Sequence, residues 1–403
     1  MASLASGCAP GQAPEVAPAE PDGDQDTVTA LNARHEPIDT PPGDPVPGLG
    51  ADEQARFADG KDEFEQVEDI AEGLGPVLND TSCTACHSVP ASGGGSETLE
   101  TRFGTLVGGV FDPLAQQGGS LIQVKGIGQA GACTFTGETV PPTATLVAQR
   151  RTTPLFGLGL VDAIPESTFA YVARIEAVLF PEQAGRPGMV HDIALGRTAV
   201  GRFGWKGQVP SLHQFAGDAY LNEMGVTSPE FPDENCPGGD CSLLACNPLP
   251  TLNDDGSNVA AFEDFMTLLA PVRRAAFGSQ ALAGRRVFAA TGCTRCHWST
   301  FRTGRARSPA LSFVTFHPYS DFMLHDMGSL GDGIPQGSAS GSEMRTAPLW
   351  GLRFVTRYLH DGRATTLADA ILAHDGQGRK ARDRFAALPA GDQAALLAFL
   401  GSL

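Results

Sequence analysis

Two Cys-x-x-Cys-His segments constrain this chain more than anything else in it: Cys83-Thr-Ala-Cys86-His87 and Cys293-Thr-Arg-Cys296-His297. This is the pattern of c-type haem attachment. Two thiols three positions apart can reach the two vinyl groups of one porphyrin. The adjoining histidine is then held under the ring and ligates the iron from the proximal side. The motifs lie 210 residues apart, and each is the only Cys-x-x-Cys in its half. Structural zinc would need a second ligand pair at each motif, and the remaining cysteines do not repeat the spacing. A thioredoxin-like redox pair is the weaker third reading.

The two motifs have matching lead-ins. Phe57-Ala-Asp-Gly-Lys-Asp-Glu-Phe64 leads through Gly73-Leu-Gly-Pro76 to the first, and Ala283-Gly-Arg-Arg-Val-Phe288 leads to the second. A short helix before the cysteine turn is how small cytochrome c domains begin, so each motif is expected to open its own domain. The halves repeat further on. Arg151-Thr-Thr-Pro-Leu-Phe-Gly-Leu158 parallels Arg345-Thr-Ala-Pro-Leu-Trp-Gly-Leu352. Arg202-Phe-Gly-Trp-Lys-Gly-Gln-Val-Pro-Ser-Leu212 parallels Arg357-Tyr-Leu-His-Asp-Gly-Arg-Ala-Thr-Thr-Leu367. Shared spacing of Arg, an aromatic, Gly and Leu across two blocks argues for duplication.

The expected fold is mainly α: two cytochrome c-like haem domains, with short β excursions inserted in the first. Ser120-Leu-Ile-Gln-Val124, Cys133-Thr-Phe-Thr136 and Ala144-Thr-Leu-Val-Ala148 read as short strands between Gly and Pro. Residues 159–200 form a second insertion. Ala260–Leu269 reads as the helix closing the first domain and Gln393–Leu400 as the helix closing the second. The expected domains are residues 51–275 and 276–403. Residues 9–50 are rich in Pro, Ala, Asp and Glu, so residues 1–50 are expected to be a disordered tether.

Of nine cysteines, four belong to the motifs. Cys133, Cys236, Cys241 and Cys246 are enough for two disulfides, which fits an oxidising compartment such as the periplasm or cell envelope. Cys8 follows Leu4-Ala-Ser-Gly7 and resembles a bacterial lipoprotein site, although the charged and long apolar parts of a signal peptide are missing. Either the start is truncated, with a lipid anchor at Cys8, or Cys8 is incidental. A net charge of −18 argues against nucleic acid. It suits a small basic cytochrome as partner, and equally it suits solubility alone. No run approaches the roughly 18–20 apolar residues that span a membrane.

Further segments point to a family. They are Arg151–Pro165, Gly201-Arg-Phe-Gly-Trp-Lys206, Glu223-Met-Gly-Val-Thr-Ser-Pro229, Tyr319–Gly328, the block around Met344, and Leu359-His-Asp-Gly-Arg363. With the two haem motifs, they resemble the di-haem oxidoreductases of the peroxidase type, also known as thiol oxidoreductases. The resemblance covers about residues 51–403. That family is similar to bacterial di-haem cytochrome c peroxidases and to the di-haem enzymes that mature a tryptophan-derived cofactor.

The resemblance implies two covalently bound haem c groups, with Cys83, Cys86 and His87 holding one and Cys293, Cys296 and His297 the other. It implies that hydrogen peroxide meets the N-terminal haem and that the C-terminal haem relays electrons. Met344, four residues before Pro348, becomes the distal ligand of the second iron, where a thioether raises the potential. Trp205 falls in the block that lies between the haems in the peroxidases. Gln214 and Glu223 fall in the segment carrying a distal Gln and Glu, where a carboxylate could move a proton between the peroxide oxygens. Many relatives carry a blocking histidine on the first iron. Here none occurs between His87 and His191, so an open first iron is expected. His360 aligns with Trp205, not with Met344.

The expected function is peroxide reduction with electrons from a small donor protein. The alternatives are an electron-transfer cytochrome without peroxidase activity, or a haem oxidase acting on a protein or organic substrate. A thiol oxidoreductase role has no Cys-x-x-Cys left to use.

Overall fold

The computed structural model of the protein describes residues 29–249 and 252–403. Its helices among these residues are α1 (Ala51–Glu65), α2 (Leu158–Asp162), α3 (Glu166–Leu179), α4 (Leu212–Met224), α5 (Ser257–Leu268), α6 (Ser279–Thr291), α7 (Leu367–Leu372), α8 (Arg379–Ala386) and α9 (Ala390–Leu400). One packing unit occurs twice. Helix α1 crosses α5, and α6 crosses α9. A glycine makes each crossing close. A Cβ on Gly60 would lie 2.3 Å from the Ala261 carbonyl oxygen, and one on Gly284 would lie 1.9 Å from that of Ala395. Only the missing side chain permits that approach.

Aromatic residues weld each crossing. Phe64 meets Phe265 at 4.7 Å, and Phe288 meets Phe399 at 5.4 Å. The same two phenylalanines reach the motif histidines, Phe64 to His87 at 6.1 Å and Phe288 to His297 at 6.2 Å.

The second repeat block has one conformation in both halves. Phe203 bridges Val209, and Tyr358 bridges Ala364. Gly207 and Gly362 occupy the same place in each loop with φ of 56° and 70°, a region costly for other residues. Ser211 and Thr366 then cap α4 and α7 through their hydroxyls. The halves also exchange partners. The Arg151 N–H donates to the His360 carbonyl (2.6 Å), and the Arg345 N–H donates to the Trp205 carbonyl (2.8 Å). One apolar core runs through both halves, joining Phe169, Phe203 and Phe265 to Phe316, Phe322 and Trp350. A smaller core around Phe288, Phe385, Leu396 and Phe399 belongs to the second half.

Two expectations need correction. Residues 29–50 are not a tether. Ala30–Leu31 pairs antiparallel with Thr315–Phe316, and Ala30, Ile38, Val46 and Leu49 enter the shared core. The Thr29 hydroxyl donates to the Val272 carbonyl at 2.7 Å. A few apolar anchors suffice to bind an otherwise polar segment, and the average composition of residues 9–50 concealed them. Residues 1–28, with Cys8, lie outside the described residues.

Strands are also not confined to the first half. Leu99–Val107 pairs with Val110–Asp112 and Leu146–Arg151 as expected of a β excursion. Pairs also form between Phe301–Arg302 and Thr315–Phe316, and between Leu324–Asp326 and Glu343–Arg345. Strands of two or three residues leave no readable alternation. The insertion over 159–200 holds α2, α3 and the hairpin of Gly188–Asp192 with Arg197–Gly201. The four spare cysteines pair as Cys133–Cys246 and Cys236–Cys241. The first bond ties the strand Cys133–Phe135 of the β excursion to the 3₁₀ segment Cys241–Cys246. No helix among the described residues is long and apolar enough to cross a membrane.

Candidate haem centres

Each Cys-x-x-Cys forms a single 3₁₀ turn, Cys83–Ala85 and Cys293–Arg295. The backbone N–H of His87 and of His297 donates to the carbonyl of the first cysteine of its motif at 2.9 Å. Both rings are oriented in the same way. His87 Nδ1 faces the Gly94 carbonyl at 3.0 Å, and His297 Nδ1 faces the Tyr319 carbonyl at 2.8 Å. A carbonyl can only accept, so Nδ1 carries the proton and Nε2 keeps its lone pair for a metal. Burial lowers both imidazoles to about 4, which holds them neutral.

The four motif thiols are unpaired. Burial pushes them up, Cys83 to about 12, so with nothing bound they are protonated thiols. Among the described residues, the one group of three metal-type side chains is Cys296, Asp321 and His325. It shares a motif sulfur, and Asp321 holds His325 at 2.8 Å. Among the described residues no such group forms at the first motif, and the group at the second includes one motif sulfur, not both.

A single cavity borders Cys293, Cys296, His297 and Met344. Phe288, Leu352, Leu367, Ile371, Leu396 and Leu400 give it apolar walls suited to a porphyrin. Met344 is buried in the strand Glu343–Arg345, opposite His325 in the ladder. His374 lines the same cavity, and its Nδ1 is tied to the Ala370 carbonyl at 2.8 Å. It is therefore a second donor in the cavity wall, one to which sequence alone gave no special weight. The cavity continues past Trp205 and His360 to Arg151, Thr153, Pro154 and Phe215. The Thr153 backbone faces the His87 ring.

Trp205 thus sits where the halves meet. Its indole N–H donates to the Arg151 carbonyl (2.9 Å), and its ring meets the His360 ring edge-on at 6.2 Å. The Arg151 guanidinium also lines the cavity, and its buried Nε has no hydrogen-bond partner. A cation with an open donor in this position suits a porphyrin carboxylate. The residues present therefore fit haem at the second motif, and at the first the same turn and the same histidine orientation recur.

Glu223 lies at the end of α4, against the segment that leads into the first motif. Asn79 Nδ2 donates to Glu223 Oε2 at 2.7 Å, and the Asn79 N–H donates to the Glu223 carbonyl at 2.7 Å. Burial, reinforced by Glu100, raises the carboxyl to about 7, against a pull from Asn79 and Arg102. Its charge is also felt at Cys86. Glu100 and Arg102 form their own pair (3.1 Å) on the strand Leu99–Val107. The β excursion therefore supplies charged groups around Glu223.

Gln214 does not join Glu223. Nine residues along a continuous helix place them on opposite faces and about 13 Å apart along the axis. The Gln214 side chain instead accepts from the Ile193 N–H at 2.9 Å and braces the hairpin of the insertion. His213 is likewise structural, clasped by Glu263 and Glu230 at 2.9 Å each.

Repeat register assigns one further residue. Arg151 matches Arg345, so Arg150 stands where Met344 stands in the second half. Arg150 is fully buried and turned away, with Nε 2.7 Å from Asp332 Oδ2 and Nη1 bonded to Gln336. Lys206 Nζ holds the other Asp332 oxygen at 2.9 Å. The first half thus presents a guanidinium, committed elsewhere, where the second presents a thioether.

Residues 142–403 match the family described as "Di-haem oxidoreductase, putative peroxidase". No curated protein matches the chain. Among solved structures, the chain is similar to hydrazine synthase of Kuenenia stuttgartiensis (14% identity, 99% of this chain and 100% of that chain, TM-score 0.40). It is similar to a MauG-like protein associated with microbial copper homeostasis (16%, 93% and 95%, TM-score 0.41). It is also similar to the dihaem peroxidase BthA of Burkholderia thailandensis E264 (15%, 94% and 95%, TM-score 0.38). Scores of this size bear on neither detailed fold nor function.

Proposed function

Starting from the fact that the chain belongs to the di-haem oxidoreductase family and is an oxidoreductase, we propose that it reduces hydrogen peroxide with electrons from a small donor protein. Cys83, Cys86 and His87 would hold the first haem covalently. Cys293, Cys296, His297 and Met344 would hold the second. When bound, the haems supply an iron that takes up peroxide and a second iron that stores and passes electrons.

The chain's own residues do the rest. Glu223, with a carboxyl near 7, takes a proton from the near peroxide oxygen and returns it to the far one. Asn79 fixes the position of that carboxyl. Trp205 fills the ground between the two centres, anchored to Arg151 and packed on His360. Arg150, committed to Asp332, leaves the first centre without a ligand from the Met344 position. The two disulfides support a periplasmic or cell-envelope location. Anchoring through Cys8 remains part of the proposal.

The observation that carries this reading is the single cavity running from His297 and Met344 past Trp205 to Thr153 beside His87. Such a link would let electrons pass between the two centres, and the state of the first iron then separates an enzyme from a carrier. The test is an optical and EPR titration of the ferric protein with peroxide and cyanide. One high-spin iron that binds cyanide and reacts with peroxide is the expected result. Two low-spin irons in every redox state would make the protein an electron-transfer cytochrome. A peroxide-oxidised state that decays only with an added organic or protein substrate would make it an oxidase.

A further inference from the structure

We infer that the second haem centre receives electrons from an acidic protein docked on helix α8. The expectation of a basic donor rested on the charge of the whole chain, and that charge is unevenly divided. Residues 276–403 carry 14 Lys and Arg against 9 Asp and Glu, a net +5, which leaves −23 in residues 1–275. The half that contains Cys293, Cys296 and His297 is therefore cationic.

One group of its cations lies beside the haem cavity, on α8 and in the second motif. Gly292, Gly378, Ala381 and Arg382 line that cavity. Helix α8 opens Arg-Lys-Ala-Arg-Asp-Arg, and Arg379, Lys380 and Arg384 are exposed. Arg384 donates to the Thr291 carbonyl at 3.2 Å, two residues before the attachment turn. Arg295, inside the Cys-x-x-Cys itself, lies over the Phe180 ring at 4.6 Å. The carboxylates paired with this patch are Asp375, Asp383 and Glu182. Five cations face three anions. The pairs hold side chains in place, but the excess charge remains and projects a positive field from this patch. Near contact, this field favours a carboxylate-rich partner at the point where an electron must enter. The inference rests on the reading of the second haem as the electron entry.

Stopped-flow reduction of the second haem in the full holoenzyme tests it without peroxide. Two donors are compared, an acidic blue-copper protein and a basic mitochondrial-type cytochrome c. The acidic donor should be the faster at low salt and should slow about tenfold when the ionic strength rises to about 0.2 M, where screening cuts off the field. The basic donor should instead speed up with salt. Lys380→Glu with Arg384→Glu should reverse the preference. Lys380→Gln with Arg384→Gln should flatten it, which covers the case in which the double charge reversal fails to fold. Both variants should keep two haems and cyanide binding at the first iron.

A basic donor that is faster at low salt would overturn the inference, as would unchanged salt slopes in both variants. So would variants that lose binding to phosphatidylglycerol vesicles while keeping wild-type donor kinetics, since α8 would then face a membrane. If second-haem reduction behaves as stated but peroxide is not consumed, the peroxidase reading fails and the docking surface stands.

Discussion

Replacing Glu223 by Gln tests the proposed chemistry most directly. Gln keeps the size and shape of Glu, and its carbonyl can still accept from Asn79 Nδ2, which now holds the carboxylate at 2.7 Å. The neighbouring charges make the replacement mild for folding, because burial and Glu100 already disfavour the ionised form. What Gln cannot do is take a proton. A positioned acid–base group contributes about 10²–10⁴-fold, so formation of the peroxide-oxidised state should slow by at least about a hundredfold.

The pH dependence gives a second readout. With the carboxyl near 7, the proton-accepting form predominates only above that pH. The wild-type rate should rise through pH 7 to a plateau and drop about a hundredfold by pH 5, two units below the midpoint. The variant should be slow and should lack that inflection. The assay is single-turnover stopped flow across pH 5–8, with haem content and cyanide affinity as controls. A variant rate within about twofold of wild type, or the same inflection in the variant, would refute the assignment. Asp162, which burial raises to about 6, would then be examined next.

Cys83→Ala with Cys86→Ala should remove one haem of two, read by intact mass and by a haem stain that survives denaturation; zinc without porphyrin would undo the whole account. Met344→His should lower the midpoint potential of the second haem, while His374→Ala should leave it in place; the opposite pattern in a redox titration would move the ligation to His374. The His213 clasp predicts a pH effect on stability. Hydrogen bonding to Glu263, ahead of Glu230, raises this imidazole to about 9. Its stabilisation should be complete below the unfolded value of about 6.5 and lost as pH rises through 9. Urea midpoints should therefore fall between pH 7 and 10 in the wild type and much less in His213→Gln.

How far the sequence could be read depended on whether a feature is local. The two attachment turns are local: covalent chemistry demands two thiols and a histidine at fixed spacing, so residues 83–87 and 293–297 carry their meaning without a fold. The repeat was legible for the same reason, since a tight loop with glycine at 207 and 362 imposes its own residue pattern. The disulfide partners were not legible. Cys133 and Cys246 stand 113 residues apart, and nothing in their neighbourhoods records the contact. Residues 29–50 misled because order there depends on a few apolar contacts with a strand some 285 residues away, not on local composition.

Gln214 and Glu223 show the intermediate case. Both lie in a segment whose residues resemble a catalytic pair, yet a continuous helix α4 sends them to opposite faces. The sequence by itself contained the two attachment motifs, the candidate proximal histidines and the duplicated plan. It also contained the charge division between the halves, which can be counted without coordinates. Tertiary structure alone decided that Trp205 and His360 meet edge-on, that Glu223 sits among Glu100, Arg102 and Asn79, that Arg150 turns to Asp332, and that α8 brings Arg382 to the cavity wall. The physical reason is that hydrogen bonding, burial and electrostatic field depend on distance in space. Chain order encodes distance only over the few residues of a turn.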